Sequence, residues 1–371
     1  MSHHDDNNFH TGLSGRRMHK GQPPSRSTSR RQFLTAFAAF GARAVLSAEM
    51  AGAQRPVASP KPRLIDLHHH VFPPAFLAAG LETYIPLNRA VVSAWTPQKA
   101  IAEMDANGVA TAIGSLTSPG VWFGNVQAAR SLARKSNEYL AQLVRDYPGR
   151  FGFFAAMPLP DTEGSLREIA YALDELKADG IGLMTNYDDR WPGDAAFAPI
   201  FEELNRRKAV VFFHPTAASC CKDLVPNVPR AWAELPHDTT RAILSLLVSG
   251  ALARFRDIRF IFSHAGGTIP MLAGRIVQAG NFAGNLAERA PHGIEYELKR
   301  LYYDIAISAN RSTMAALMNL IPTSQILFGG DYPFMPIGVT ANGMTTLGLS
   351  TANLRAIGRE NALALLPRLK A

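Results

Sequence analysis

Residues 63–70 read Arg63-Leu64-Ile65-Asp66-Leu67-His68-His69-His70, and the way this run ends decides the fold. Its apolar residues form a short run of strand length rather than the longer, 3.6-residue repeat of a helix. An open, doubly wound sheet would follow its first strand with a glycine-rich phosphate loop. Histidines follow here instead. Residues two apart on a strand point to the same side. His68 and His70 therefore face one way together, and His69 faces the helix layer or a covering loop.

Working outward, the chain keeps alternating. Strands are expected at 63–69, 109–116, 150–157, 181–186, 209–215, 257–264, 298–307 and 324–330. Helices are expected at 97–107, 124–147, 162–179, 196–208, 239–255, 268–279, 311–320 and 352–366. Phe197, Ile200, Phe201 and Leu204 show the i, i+3, i+4 spacing of an amphipathic helix. Gly108 and Gly180 stand where helix C-caps are wanted, and Thr162 and Thr239 where N-caps are wanted. Such alternation predicts an α/β chain folded as a (β/α)8, TIM-like barrel. The barrel domain is assigned to residues 54–371, with no second domain and no internal repeat beyond the βα unit. Two longer insertions, 71–96 and 216–238, follow strands one and five, on the side where barrel active sites are built.

Composition is that of a globular protein, 47% hydrophobic and 18% charged. Half of the net charge of +8 comes from residues 1–53, which hold seven Lys/Arg against three acids. The remainder is mildly basic and lacks a basic stripe with interleaved aromatics, which argues against nucleic-acid binding. No apolar run is long enough for a membrane span. The two cysteines, Cys220 and Cys221, are adjacent. A bridge between neighbours closes no useful loop, so they are expected to be ordinary loop or packing residues.

Residues 1–53 read as an address. A polar segment leads to Ser29-Arg30-Arg31-Gln32-Phe33-Leu34 and a moderately apolar stretch to Ala48, with small residues Ala51-Gly52-Ala53 before Gln54. This is the pattern of a twin-arginine export signal. The expected location is periplasmic or otherwise extracytoplasmic; the alternative is a basic tail on a cytoplasmic protein.

Beyond residue 53 only seven histidines occur, and four of them fall at C-terminal ends of expected strands: His68, His70, His214 and His264. Strand five runs Val210-Val211-Phe212-Phe213-His214, and strand eight ends Phe328-Gly329-Gly330-Asp331. A histidine or carboxylate at the end of a buried apolar strand is costly unless paired or ligated. His68, His70, His214 and Asp331 together make a nitrogen and oxygen donor set for one divalent metal. The set suits Zn2+ and also admits Mn2+, Fe2+ or Co2+. His264 can be a fifth ligand or, beside a bound oxygen, the general acid or base. The proton-transfer role is preferred. Asp304, at the end of strand seven, is a candidate to support it from behind, or else a cap or salt-bridge residue.

Asp66-Leu67-His68-His69-His70, His214-Pro215, Ser263-His264-Ala265-Gly266-Gly267 and Gly330-Asp331-Tyr332-Pro333-Phe334, in this order, resemble the motifs of the amidohydrolase superfamily. The resemblance covers roughly residues 63–366. It is greatest to the aminocarboxymuconate-semialdehyde decarboxylase branch, which includes decarboxylases of ortho-hydroxybenzoates. The stretches from Cys220 to Pro226 and from Asp238 to Arg241 are similar to the 6-methylsalicylate decarboxylases. The resemblance implies a distorted barrel and a homodimer. It also implies metal ligands at His68, His70, His214 and Asp331, and an acid/base histidine at His264. Met184 and Asn186 stand on strand four where binuclear relatives carry a carboxylated lysine, so those subtypes do not fit. Most members of the branch lack an export signal, a further departure.

The resemblance implies non-oxidative decarboxylation of a small ortho-hydroxybenzoate-like or muconate-like acid, with Asp331 or His264 protonating the ring carbon. Phe72 and Trp191 are candidate ring walls, and Arg241 or Arg190 candidate holders of a remote anionic group. The same site can hydrolyse an ester, lactone or amide through a metal-bound water. A non-catalytic metal- or ligand-binding protein is the third reading.

Overall fold

The computed structural model describes residues 64–80, 89–222, 224–280 and 286–370. The export reading of residues 1–53 and part of the first insertion fall outside the described residues. Eight parallel strands run in chain order in one sheet. They are β1 (Leu64–His70), β2 (Val109–Ser115), β3 (Phe151–Ala156), β4 (Gly180–Met184), β5 (Val210–His214), β6 (Arg259–Phe262), β7 (Tyr302–Asp304) and β8 (Ile326–Leu327). The first and last strands meet through Leu67 N–H to Phe328 O at 3.0 Å, Asp331 N–H to His68 O at 2.7 Å and His70 N–H to Tyr332 O at 2.8 Å. These bonds bring the sheet round into a nearly closed barrel, as the alternation predicted.

The strands are short apolar runs because both faces are covered, as parallel barrels require. Ile65, Leu67, Ile113, Phe154, Val210, Phe212, Ile261 and Leu327 pack with Leu365 and Leu366 of the C-terminal segment. A separate, larger cluster joins the outer faces of the strands to the helices. Helix Val126–Asp146 shows the expected logic: Ala129, Leu132, Ala133, Ser136, Asn137, Leu140 and Ala141 form one buried stripe, and Asn125 Oδ1 caps it by accepting the Ala128 N–H at 2.9 Å.

Several boundaries differ from expectation. The strand placed at 298–307 is only Tyr302–Asp304, because Ile294–Lys299 is a helix. β6 stops at Phe262, and His264 begins a tight turn instead of ending the strand. Asp161, not Thr162, takes the N-cap position of its helix, which ends at Ala170 and continues as a π turn. Thr239 lies inside helix Glu234–Val248, its hydroxyl donating to Leu235 O at 3.3 Å. Gly180 opens β4, whereas Gly108 does follow its helix, at φ +73°. Cys220 and Cys221 are joined to each other as a vicinal disulfide in the loop after β5, against the reading that left them unpaired. Among the described residues no helix is long and apolar enough to cross a membrane.

Candidate metal centre and active site

β1, β5 and the segment after β8 bring His68, His70, His214 and Asp331 to one point, with their potential ligand atoms all within 4.8 Å of one another. All four residues are buried. Nε2 of His68 and Nε2 of His70 are 3.2 Å apart, and each approaches Asp331 Oδ1, at 3.2 and 3.0 Å. Metal–ligand bonds of about 2.1 Å in a tetrahedral to octahedral shell put neighbouring donors about 3.0–3.4 Å apart. The spacing and the nitrogen and oxygen chemistry therefore fit one divalent ion.

The surroundings prepare the same place. Asp304 Oδ2 accepts from His68 Nδ1 at 3.0 Å, which fixes the ring so that Nε2 faces the cluster. Burial lowers the proton affinity of the His68 imidazole, but Asp304 and Asp331 outweigh it and raise its pKa to about 10. In the metal-free protein a proton on His68 thus occupies the role of the cation. Burial drives His70 and His214 the other way, toward the neutral form that can donate a lone pair. Burial would raise the Asp331 carboxyl, but the charge on His68 and hydrogen bonds from His264, His68 and His70 hold it well below the usual range.

His264 sits at the rim of this cluster, with Nε2 3.4 Å from Asp331 Oδ2. Its side chain keeps 15% exposure, against 7% for Asp331, so it is the member of the group that reaches the mouth. His264, Ala265 and Asp331 all adopt left-handed backbone, at φ 53°, 58° and 58°. Such conformations cost on the order of 1–3 kcal/mol each outside glycine and gather at functional sites. Asp304 helps hold the turn: its Oδ1 accepts the His264 N–H at 3.1 Å and the Ala306 N–H at 2.9 Å. It therefore braces His264 through the backbone and His68 through the side chain. Gly329 permits the close approach of β8 to β1, since a Cβ there would stand 2.8 Å from His68 Cβ.

The residues expected to line the substrate space are placed differently from one another. Phe72 is buried one ring back, edge-on to Trp95 and Phe334, with centroids 6.1 Å away in both cases. The aromatic rings that border the cluster are Phe334, 5.2 Å from His70, and Phe212, 5.2 Å from His68. Trp191 and Arg241 come together at Asp238, and Arg190 lies over the Phe197 ring. Beside His214 a mostly apolar cavity of about 10 Å³, room for one water, is lined by Ser115, Leu116, Val121, Met157, Met184 and Tyr187. Asp66 is a residue the sequence reading quoted without a role. It is fully buried, and it accepts from His68 N–H at 3.0 Å and Gly330 N–H at 2.8 Å while its other oxygen meets His69 Nδ1 at 3.1 Å. An acid inside an apolar strand was the available signal for it.

The amidohydrolase family model (Amidohydro_2) matches residues 65–368. The 6-methylsalicylic acid decarboxylase of Aspergillus aculeatus is 39% identical over 327 residues, covering 82% of this chain and 96% of its own. The 2-amino-3-carboxymuconate-6-semialdehyde decarboxylase of Dictyostelium discoideum is 30% identical over 254 residues, covering 67% of this chain and 69% of its own. Among solved structures, a dihydroxybenzoic acid decarboxylase from Polaromonas sp. JS666 with bound manganese superposes with a TM-score of 0.70 at 23% identity, over 83% of this chain and 98% of that one. That likeness establishes the shared barrel. With a family model spanning most of the chain and a 39% identical relative aligned over 96% of its length, this protein belongs to the amidohydrolase family.

Proposed function

We propose that the protein removes the carboxylate of a small 2-hydroxybenzoate as CO2, without oxidation. It is a carboxy-lyase of the amidohydrolase superfamily, and its relatives favour carbon–carbon cleavage over the hydrolytic alternative. The substrate class rests on the 6-methylsalicylic acid decarboxylases among those relatives. The observation that carries the reading is the double contact of Asp331, whose Oδ1 meets His68 and His70 while Oδ2 meets His264.

In this reading His68, His70, His214 and Asp331 hold one divalent ion, Zn2+ or Mn2+. That ion would supply Lewis acidity toward the substrate's oxygens. Phe334 borders the space for the ring. The ring carbon that bears the carboxylate takes a proton from His264 Nε2, which regains one from water; the bond to the carboxylate then breaks, its electron pair returns to the ring and restores aromaticity, and CO2 leaves. His264 is preferred over Asp331 as the proton carrier because it is the more exposed of the two, at the rim of the cluster. Trp191 and Arg241 are proposed as mouth residues anchored on Asp238.

His264→Asn should keep its metal and lose roughly 10²–10⁴-fold in kcat for CO2 release from 6-methylsalicylate or a related 2-hydroxybenzoate. Unchanged turnover would remove His264 from the mechanism, and no CO2 from a broad panel of such acids would remove the substrate class. Metal uptake must displace the His68 proton, whose pKa is raised to about 10. Apparent affinity, measured by chelator competition between pH 6 and 8, should therefore rise about tenfold per pH unit. A flat profile would contradict the proton-for-metal exchange.

We also propose that residues 1–53 direct export to the periplasm, leaving a mature chain that begins at Gln54 and dimerises. The twin-arginine pattern supports the first point. Exposed Leu224, Val225 and Trp232 in the loop after β5 support the second. N-terminal sequencing and light scattering of the natively produced protein check both; a start upstream of Arg30, or a monomer, would overturn the respective part.

A further inference from the structure

Helix Glu234–Val248 opens with Leu235-Pro236-His237-Asp238-Thr239-Thr240-Arg241, a polar run, yet Asp238, Thr239 and Thr240 are buried. A buried carboxylate persists only if its oxygens are fully hydrogen-bonded or paired. Asp238 Oδ2 accepts from Thr185 Oγ1 and from Asn186 Nδ2, the latter at 2.7 Å. Its Oδ1 accepts from Trp191 Nε1 at 3.0 Å and lies 3.6 Å from Arg241 Nη1.

These donors belong to the segment that leaves β4, and that segment touches the end of β5. Thr185 N–H donates to the carbonyl of His214 at 3.0 Å. Thr185 Oγ1 accepts the Thr216 N–H at 3.0 Å, and Asn186 Nδ2 also reaches Thr216 O at 2.8 Å. Asp238 is therefore one side chain removed from the backbone of His214. The same helical turn also faces β6. Thr240 Oγ1 accepts the Thr268 N–H at 2.8 Å, bonds Thr268 Oγ1 at 2.8 Å and donates to Pro236 O at 3.0 Å. Thr268 follows the left-handed turn His264-Ala265-Gly266-Gly267, and a Cβ on Gly267 would run into the Pro236 carbonyl.

We propose that the second turn of the helix is a positioning device for both halves of the site. Asp238 sets His214 through Thr185, and Thr240 sets His264 through Thr268. The proposal rests on the reading of His214 as a metal ligand and His264 as the proton carrier, and it assigns the two bracing residues different consequences.

The test uses the full chain loaded with Mn2+ or Zn2+, with metal affinity read by chelator competition and turnover read separately. Asp238→Asn places an amide nitrogen against donors, and the metal Kd should rise tenfold or more. Thr185→Val asks the same question if Asp238→Asn does not fold, and Thr185→Ser should restore affinity. Thr240→Val should leave metal Kd unchanged and lower kcat tenfold or more at constant KM, with Thr240→Ser recovering it. His214→Ala is the control. If it loses the metal while folded Asp238→Asn and Thr185→Val bind like the unmodified protein, the bracing role is overturned. The same holds if Thr240→Val weakens metal binding as much as it lowers kcat. If His214→Ala keeps full affinity, the ligand reading fails and the bracing of His214 falls with it.

Discussion

A carboxylate buried against three imidazoles is tolerable only with a positive charge among them, and the rest of the molecule is arranged around that requirement. Asp331 is held ionised, His70 and His214 are held neutral, and His68 alone carries a proton against the pull of burial. The proton is a substitute for a divalent ion, since His68, His70 and Asp331 already stand at the separations of a coordination shell, with the His214 donor within 4.8 Å of them. The barrel closes at this same place, because the bonds from Asp331 to His68 and from His70 to Tyr332 also join β8 to β1. Closure of the fold and assembly of the site are one event.

Holding the cluster requires backbone that sequence propensity would not choose. His264, Ala265 and Asp331 are left-handed, and Gly329 is needed where β8 passes His68. Buried acids stabilise these shapes from behind. Asp66 ties β1 to Gly330, and Asp304 ties His68 to the His264 turn. Each accepts several donors, so its charge is spread over fixed hydrogen bonds instead of left bare. The outcome is a ring of three buried carboxylates, of which only Asp331 faces the proposed ion.

The barrel and the convergence of His68, His70, His214 and Asp331 were legible in the sequence because both follow from local rules. Strand periodicity puts His68 and His70 on one side, and strand ends of a barrel meet at one mouth. The turn at His264 was less legible, since a left-handed histidine has no periodic signature and the following glycines indicate only a bend. Trp191 and Arg241 were named as wall and anion holder from position alone. Their common partner is Asp238: it stands three residues before Arg241 on one helix, but 47 residues from Trp191, a pairing that no local pattern encodes. Phe72 was likewise named from its position just after β1, and its packing against Trp95 and Phe334 is a feature that position does not encode. The vicinal pairing of Cys220 and Cys221 was set aside by an argument from loop entropy, which does not address a bridge between neighbours.

The central claim is that one divalent ion is bound by three imidazoles and one carboxylate. X-ray absorption spectroscopy of the protein purified with its metal tests it directly. The account predicts one ion per chain, a first shell of nitrogen and oxygen at about 2.0–2.2 Å, and the outer-shell scattering of histidine rings. An ion with sulfur in its first shell, a shell without histidine scattering, or two ions per chain would contradict it.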